Sequence, residues 1–369
     1  MAAPLSLARI GVEGIRPNDV IVGRRKRKAR SLKRETEAWT TLFTDATGQS
    51  PRGVVDRAVQ LELDGWDGAA MVDSQWFAGD VFSVLTRTAV ETSRLKLGTG
   101  TCNVATRHPS VLANAAATIQ AISNGRMTLG LGRGDSSLGK IGASPTPVAE
   151  FASAVKMVRD YLRGIGVPVE DAAEMLHGAP TGLAGVAVAH APDVSRLEWL
   201  ISDLPTVDVE VTASGPKTIS VAARYADRIS FSVGASKVRL AWALDLAREE
   251  LERSGRDPAT VRFGACVPLY PHRDLAFGRE LSQGSVSLLS QYSSEAYGAI
   301  EGSGSLQLNG GDEFALVGRP EHCSERLEEL VEMGIDLFHF WTADSDGKAG
   351  ESYRSVVEEL LPLIPGRRL

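Results

Sequence analysis

Short apolar segments alternate with longer amphipathic segments along most of the chain beyond residue 36. The short segments are typical of buried parallel strands, and the longer ones repeat apolar residues at helical spacing. The pattern predicts these strands: Trp39–Thr44, Gly68–Val72, Leu95–Gly98, Met127–Leu131, Val207–Thr212, Arg228–Val233, Val261–Leu269 and Asp336–Trp341. It also predicts helices near residues 51–64, 77–92, 109–123, 147–163, 216–226, 236–254, 320–333 and 351–362.

The regular alternation of eight strands with helices indicates an α/β fold, a (β/α)8 TIM barrel, rather than an open sheet. Two segments interrupt it: residues 164–206 follow strand four, and residues 273–318, rich in Gly and Ser, follow strand seven. Insertions on a barrel commonly build lids or oligomer contacts. We therefore expect one barrel over residues 37–369, with insertions after strands 4 and 7.

Charge separates residues 1–36 from the rest of the chain. This segment has ten Lys or Arg residues and three acidic residues, a net +7, whereas the whole chain carries −6. The run "GRRKRKAR" could bind nucleic acid or an acidic membrane surface, but no aromatic residues interleave with it and no nucleic-acid fold surrounds it. We interpret residues 1–36 as a basic N-terminal extension, either a solvated arm or a clasp between subunits.

Composition excludes several other classes of protein. The chain has 369 residues, 43% of them hydrophobic, but no apolar run long enough to span a membrane. Arg9 and Glu13 interrupt the only candidate for a secretory signal. The 3 cysteines are widely spaced and form no metal-binding pattern. We expect a cytoplasmic protein with neither disulfides nor a metal site.

Polar and glycine residues cluster where the predicted strands end. Because chemistry in a (β/α)8 barrel takes place at the carboxyl ends of the strands, these residues define one candidate site. Strand one is followed by Asp45 and strand two by Asp73 and Ser74. The other ends read "GTCN", running on to Arg107 and His108, then "GLGRGDSSLG", "ASGPK" and "SVG".

The end of strand three, "LGTGTCNVATRHPSV", is the most unusual of these. Gly98 and Gly100 bracket Thr99, and polar side chains follow until Pro109. The glycines could serve only a turn or the packing of the barrel. They could also let the backbone approach a flat ligand.

The segment "LGTGTCNVATRHPSVLANAAATIQAISNGRMTLGLGRGDSSLG" resembles the bacterial luciferase-like superfamily. It is most similar to the coenzyme F420-dependent branch, which includes methylenetetrahydromethanopterin reductase and F420-dependent glucose-6-phosphate dehydrogenase. The segment "ASGPKTISVAARYADRISFSVGAS" supports the resemblance, which extends from about residue 40 to the C-terminus and weakens in both insertions.

The resemblance implies the cofactor site. A non-prolyl cis peptide at Gly100–Thr101 would support the deazaflavin ring, and the turn at Ser214 would hold the cofactor phosphate at a helix N-terminus. That turn could instead be a simple helix cap, but its position at a strand end favours phosphate binding. The cofactor-binding residues so implied are Ser74, Gly100, Thr101, Asn103, Arg107, His108, Ala213, Ser214, Gly215, Pro216, Lys217, Ser232 and Gly234.

The sequence does not single out one residue as the proton donor or acceptor in the reaction. Asp73 and Ser74 match an Asp-His pair of the sugar-phosphate dehydrogenases, in which the His is a base, so Ser74 argues against a sugar-phosphate substrate. The catalytic candidates are Asp45, Asp73 and His108. Asp45 could instead cap a helix. Arg107 could pair with Asp135 rather than face the ring.

The resemblance implies an F420-dependent oxidoreductase that transfers a hydride between the reduced deazaflavin and a small organic substrate, with reduction of a C=C, C=N or similar acceptor. The alternative in the same fold is an FMN-dependent luciferase-like monooxygenase. A third class is a non-catalytic paralogue, or a protein tethered to nucleic acid by its basic arm. The expected partners are a small-molecule substrate and a second copy of the chain in a homodimer, with no membrane and no nucleic acid.

Overall fold

The computed structural model describes residues 34–42, 50–76, 78–176, 193–297, 311–343 and 349–367. Its strands are β1 (Glu37–Leu42), β2 (Gly68–Met71), β3 (Lys96–Thr99), β4 (Cys102–Asn103), β5 (Met127–Gly132), β6 (Val167–Pro168), β7 (Val194–Ser195), β8 (Asp208–Ala213), β9 (Arg228–Phe231), β10 (Arg262–Pro271), β11 (Leu316–Gly318) and β12 (Leu337–Trp341).

The helices are α1 (Pro51–Leu63), α2 (Val81–Glu91), α3 (Pro109–Ile122), α4 (Asp135–Gly139), α5 (Val148–Leu162), α6 (Val169–Glu174), α7 (Pro216–Tyr225), α8 (Lys237–Arg253), α9 (Leu275–Tyr297), α10 (Gly311–Phe314), α11 (Pro320–Met333) and α12 (Gly350–Ser355). A short 3₁₀ turn precedes β10, and α12 continues as a π-helical turn and a 3₁₀ turn up to Leu363. None of the helices in the described ranges has the length and apolar character needed to cross a membrane.

Eight parallel strands close into a barrel in the order β1, β2, β3, β5, β8, β9, β10 and β12, and β12 pairs again with β1. The predicted (β/α)8 barrel is therefore confirmed, and all eight predicted strands are present. β4 continues the line of β3 beside β5, while β11 adds to β10 at the end of the second insertion. The basic extension lies outside the described residues up to Lys33, so its separation from the barrel stays a prediction.

The two insertions contain elements that the sequence pattern did not predict. In the first insertion, β6 and β7 form a small antiparallel pair next to α6. In the second, α9 spans 23 residues although its sequence is rich in Ser and Gly. Leu288 and Leu289 of α9 face the interior at the carboxyl end of the barrel.

The side chain of Trp39 fills the barrel interior near the amino ends of the strands. Its side chain is fully buried, and a Cβ built at Gly68 would lie 2.4 Å from its indole ring. A Cβ at Gly98 would lie 3.0 Å from the same ring. These two glycines are therefore explained by the packing of one large side chain, because interiors at this density leave no room for a methyl group.

Charged residues close the amino end of the barrel beneath Trp39. Glu37 binds Arg228 at 2.6 Å and Lys96 at 2.7 Å, and it also pairs with Arg262. Each of these four residues is the first residue of its strand. Burial opposes ionisation of Glu37, but the three cations hold its pKa far below the ordinary value. The amino end is thus sealed by paired charges.

Candidate active site

A cavity opens at the carboxyl end of the barrel and encloses about 1070 Å³, including its open mouth. Its walls are the inward-facing residues that end the strands, together with the two leucines of α9. Six of the predicted site residues line it: Asp73, Ser74, Gly100, Thr101, Ser214 and Ser232. The predicted residues at the strand ends therefore line one cavity, because all the parallel strands end on the same side of the barrel.

The peptide bond between Gly100 and Thr101 is cis, as the resemblance implied. It lies between β3 and β4, where the N–H of Gly100 donates to the carbonyl of Met71 at 2.7 Å. A Cβ built at Gly100 would lie 2.9 Å from Cβ of Ala70, so the backbone is held against β2 at a distance that only glycine allows. Gly100 and Thr101 both line the cavity at this bulge, and Gly100 adds no side chain to the wall.

Ser74 places a hydroxyl in the cavity wall without a hydrogen-bond partner among the described residues. The residue is only 2% exposed. Buried polar atoms are nearly always hydrogen-bonded, so this hydroxyl is a candidate to bond a ligand in the cavity.

Arg107 does not pair with Asp135, the alternative that the sequence left open. Its guanidinium donates to Asp73 at 2.6 Å and to Asp80 at 2.9 Å, and it stacks over the ring of Phe82. Burial disfavours the charge on Arg107, but the two carboxylates raise its pKa above the ordinary value. One oxygen of Asp73 is thus committed to an ion pair at the cavity edge.

His108 lies outside the walls of the cavity, contrary to expectation. It caps the N-terminus of α3, where Nδ1 accepts a hydrogen bond from the N–H of Ser110 at 3.2 Å. Its Nε2 lies 2.8 Å from the carbonyl oxygen of Ala172. Both ring nitrogens are engaged in holding α3 and the first insertion, so the geometry assigns His108 a structural position.

Asn103 is also buried behind the cavity wall rather than exposed in it. Its Oδ1 accepts hydrogen bonds from the backbone N–H groups of Ala105 at 3.1 Å and Thr106 at 2.9 Å. Its Nδ2 donates to Ser137, whose residue lines the cavity. Asn103 therefore shapes the turn that follows the bulge. Asp45, the remaining catalytic candidate, lies outside the described residues.

The end of β8 leads into α7 through a turn suited to an anion. Gly215 is the N-cap of α7 and provides no capping side chain, and a Cβ at this position would meet nothing within 4 Å. Ser214 lines the cavity, Pro216 occupies the first turn, and Lys217 is exposed. A ten-residue helix with an open N-terminus at the cavity wall offers N–H groups and a positive dipole end to a phosphate.

Two other predicted residues have packing roles. Ala213 is buried at the end of β8. Gly234 has φ +70°, and a Cβ there would lie 2.6 Å from the carbonyl oxygen of Phe314. Within the part of the chain that the structure describes, no group of three or more His, Cys, Asp and Glu side chains could hold a metal ion.

Two polar residues deep in the cavity, Glu210 and His339, were not predicted from the sequence. Glu210 of β8 and His339 of β12 both line it, and Nε2 of His339 lies 2.7 Å from Oε1 of Glu210. Burial alone would raise the pKa of Glu210, but His339, Arg228 and a hydrogen bond from Ser230 lower it to about 2. The signal was an ionisable residue between two apolar ones in each strand: Glu210 lies between Val209 and Val211, and His339 between Phe338 and Phe340.

A closed parallel barrel with this cavity defines the class: a (β/α)8-barrel protein with its candidate site at the carboxyl ends of the strands. Residues 38–337 match the model of the luciferase-like monooxygenase family. The chain belongs to that family, and its relatives identify it as an oxidoreductase.

A curated relative and two solved structures illustrate the range of the family. The chain is 25% identical to 5,10-methylenetetrahydromethanopterin reductase of Methanolobus tindarius over 74% of this chain and 85% of that protein. An F420-dependent secondary alcohol dehydrogenase in complex with an F420-acetone adduct matches 91% of this chain and 100% of its own, with TM-score 0.68 and 17% identity. The EDTA monooxygenase of Chelativorans sp. BNC1 matches 90% of this chain and 96% of its own, with TM-score 0.64 and 12% identity. At these identities the structural matches support the fold alone.

Proposed function

We propose that this protein is a coenzyme F420-dependent oxidoreductase that transfers a hydride between the reduced deazaflavin and a small organic acceptor with a C=C, C=N or similar bond. The observation that carries the proposal is the combination of two backbone features in one cavity. The glycine bulge at Gly100 lies at one wall, and the uncapped N-terminus of α7 lies at another.

The residues present fit a deazaflavin with a phosphate-bearing tail. The bulge offers a flat backbone surface to the ring, and the orphaned hydroxyl of Ser74 is available to a polar atom of the ligand. Ser214 and Gly215 would hold the phosphate by N–H groups at the helix end. When bound, reduced F420 supplies a hydride from its ring carbon, while the chain orients the ring, excludes water and presents the acceptor.

Two of the proteins described above favour F420. The methanopterin reductase belongs to the F420-dependent branch that the motifs resemble, and it is related in sequence over most of both chains; the alcohol dehydrogenase, which uses F420 by its own description, shows that the fold accepts this cofactor. The second candidate is an FMN-dependent monooxygenase, because the EDTA monooxygenase has the same fold. FMN also combines a flat ring with a phosphate, so the same cavity features would serve it.

Parallel fluorescence titrations of the purified protein with F420 and with FMN test the proposal. We expect saturable quenching by F420 and much weaker binding of FMN. Gly215→Glu should abolish F420 binding, because a carboxylate would then occupy the phosphate position, while Gly284→Glu, in open space on α9, should bind normally. Tight binding of FMN alone would overturn the proposal in favour of the monooxygenase.

A homodimer, a small-molecule substrate and a cytoplasmic location remain predictions from the sequence. Sedimentation at working concentrations tests the first of them. A monomer under these conditions would contradict the expected dimer without affecting the cofactor proposal.

A further inference from the structure

Two ionisable side chains at the bottom of the cavity have no part in holding the cofactor as proposed above. His339 is 6% exposed and Glu210 is 4% exposed, yet both line the cavity. Their strands, β12 and β8, are separated by β9 and β10 along the barrel wall. The contact between Nε2 and Oε1 therefore spans the interior of the barrel.

The position of His339 relative to the bulge follows from the order of the strands. Counting in either direction around the closed barrel, β10 is the fourth strand from β3, so the two strands are opposite each other. Cys266 of β10 is in register with His339 of β12, and both face the cavity. A flat ring against Gly100 would turn its other face toward this wall, and a hydride acceptor would lie between the ring and His339.

The imidazole of His339 retains unused hydrogen-bonding capacity. Although Nε2 lies at ion-pair distance from Glu210, it makes no hydrogen bond of good geometry among the described residues. The ring also lies near the indole of Trp39, with centroids 5.6 Å apart. Because Nε2 is buried against Glu210, Nδ1 is the ring nitrogen left for a ligand in the cavity that His339 lines.

Glu210 is fixed independently of His339. Its Oε1 accepts a hydrogen bond from Ser230 at 2.7 Å, and its Oε2 faces the guanidinium of Arg228 at 3.6 Å. The carboxylate therefore stays in place and ionised, and it provides a counter-charge when the imidazole carries a proton.

We propose that His339 is the general acid that protonates the carbonyl oxygen of the hydride acceptor, and that Glu210 is the positioning residue that holds its imidazole. The inference rests on the proposed F420-dependent function and assigns the substrate class as a ketone or a conjugated enone. Neither Asp73, which is paired with Arg107, nor His108, which caps α3, is as well placed for this step.

Atoms and electrons balance in the proposed step. The acceptor carbon gains a C–H bond from the hydride of the reduced deazaflavin, and the C=O π electrons, or those of the conjugated system, move to oxygen. The oxygen forms an O–H bond with the proton of His339, and the acceptor is reduced by two electrons as the cofactor is oxidised by two. The neutral imidazole regains a proton from solvent, and the oxidised cofactor releases its ring N–H proton to solvent.

The first measurement is equilibrium binding, which does not depend on turnover. Wild type and His339→Gln are titrated with F420, and each F420-loaded protein is then titrated with cyclohexanone and cyclohex-2-enone in the oxidised, non-reactive state. Side-chain ¹⁵N NMR of histidine-labelled protein follows the imidazoles. We expect equal F420 affinity in both proteins, and in wild type a probe-induced shift of the imidazole signal that is assigned to His339 by its absence from His339→Gln. Failure of wild type to bind F420 would contradict the proposed function, whereas F420 binding with no shift from either probe would overturn the His339 proposal.

The second measurement is turnover of cyclohex-2-enone with reduced F420. His339→Gln should lower kcat by about 100-fold or more with little change in KM, in line with the usual effect of losing a general acid. Added imidazole should restore part of the activity of His339→Gly, a response that a purely structural residue would not show. His322→Gln, on the exposed face of α11, is the matched control and should react normally.

Glu210→Gln tests the positioning role. We expect kcat to fall about 10-fold, with unchanged F420 affinity and an altered His339 ¹⁵N signal, while exposed Glu249→Gln should behave as wild type. Turnover of His339→Gln within threefold of wild type would overturn the assignment, and so would failure of wild type to reduce either probe.

Discussion

The two ends of the barrel interior use polar residues in opposite ways. At the amino end, Glu37 is surrounded by three cations and accepts a further hydrogen bond from Trp39 at 2.8 Å. At the carboxyl end, Ser74 and His339 line a cavity with hydrogen-bonding capacity that the described residues do not use. The charged groups at the amino end face one another within the chain, whereas the polar residues at the carboxyl end line a cavity that a ligand can enter.

This difference separates stability from function within one barrel. In (β/α)8 barrels the amino face serves stability and the carboxyl face carries the chemistry. Substitutions at Glu37 should therefore change the free energy of unfolding but not cofactor affinity. Substitutions at the bulge or at Ser74 should change cofactor affinity but leave the free energy of unfolding nearly unchanged.

The largest effect on stability is expected at the amino end. Glu37→Gln should lower the free energy of unfolding by about 3 kcal/mol, because it removes the carboxylate closest to buried Arg228 and leaves only the more distant Glu210 and Asp208. F420 affinity of the folded fraction should be unchanged. Urea unfolding and F420 titration measure the two quantities, with exposed Glu249→Gln as the control. Normal stability combined with lost F420 binding would reverse the assignment of the two ends.

The same carboxylate predicts an acid dependence of stability. The folded-state pKa of Glu37 lies below its ordinary value of 4.5, so its contribution is present above that pH and is lost as pH falls through the folded pKa. Glu210, with a folded pKa of about 2, adds to the same trend. The free energy of unfolding should therefore decline below pH about 4.5, and less steeply in Glu37→Gln. Equal slopes in the two proteins would contradict the assignment.

At the carboxyl end, Gly100→Val should damage function more than stability. Its side chain would press on Ala70 and intrude at the bulge, and a displacement of the cofactor by about 1 Å costs about 100-fold in rate. We expect a folded barrel by circular dichroism, with weak F420 binding and little turnover. Gly284→Val is the control in open space. A variant that folds and binds F420 normally would remove the bulge from the site.

Removal of the Ser74 hydroxyl should have a smaller effect. Because Oγ has no partner in the unliganded protein, Ser74→Ala should leave the free energy of unfolding nearly unchanged. F420 affinity should fall about 10-fold if the hydroxyl bonds the cofactor. Calorimetric titration with F420 checks this, and unchanged affinity would show that the hydroxyl serves something else.

The smallest effect is expected at His108. His108→Ala should cost about 1 kcal/mol of stability through loss of the cap on α3. F420 affinity should stay within twofold of wild type, because neither ring nitrogen faces the cavity. A large loss of F420 affinity in a stable variant would restore His108 to the cofactor site.

The strand and helix pattern predicted the barrel because each element carries its own periodicity. The same pattern did not predict α9, whose Ser and Gly residues are those of a loop and whose burial depends on contacts with β10 and β11. Such contacts join segments that are distant in sequence. Local propensity therefore could not reveal this helix.

The candidate site likewise has parts that the sequence could predict and parts that it could not. The cis bond at Gly100–Thr101 and the turn before α7 are local, and the resemblance of two motifs sufficed to locate them. Glu210 and His339 are 129 positions apart and meet only when the barrel closes. The pairing of Arg107 likewise depends on how two loops meet, so the sequence suggested Asp135 instead.

The most direct test of the central claim is a crystal structure of the protein with F420 bound. The account predicts the deazaflavin ring against the bulge at Gly100 and the phosphate at the N-terminus of α7 beside Gly215. It also predicts that the open face of the ring is directed toward His339. A cofactor bound at the amino end of the barrel, or on the outer helices with the cavity empty, would contradict it.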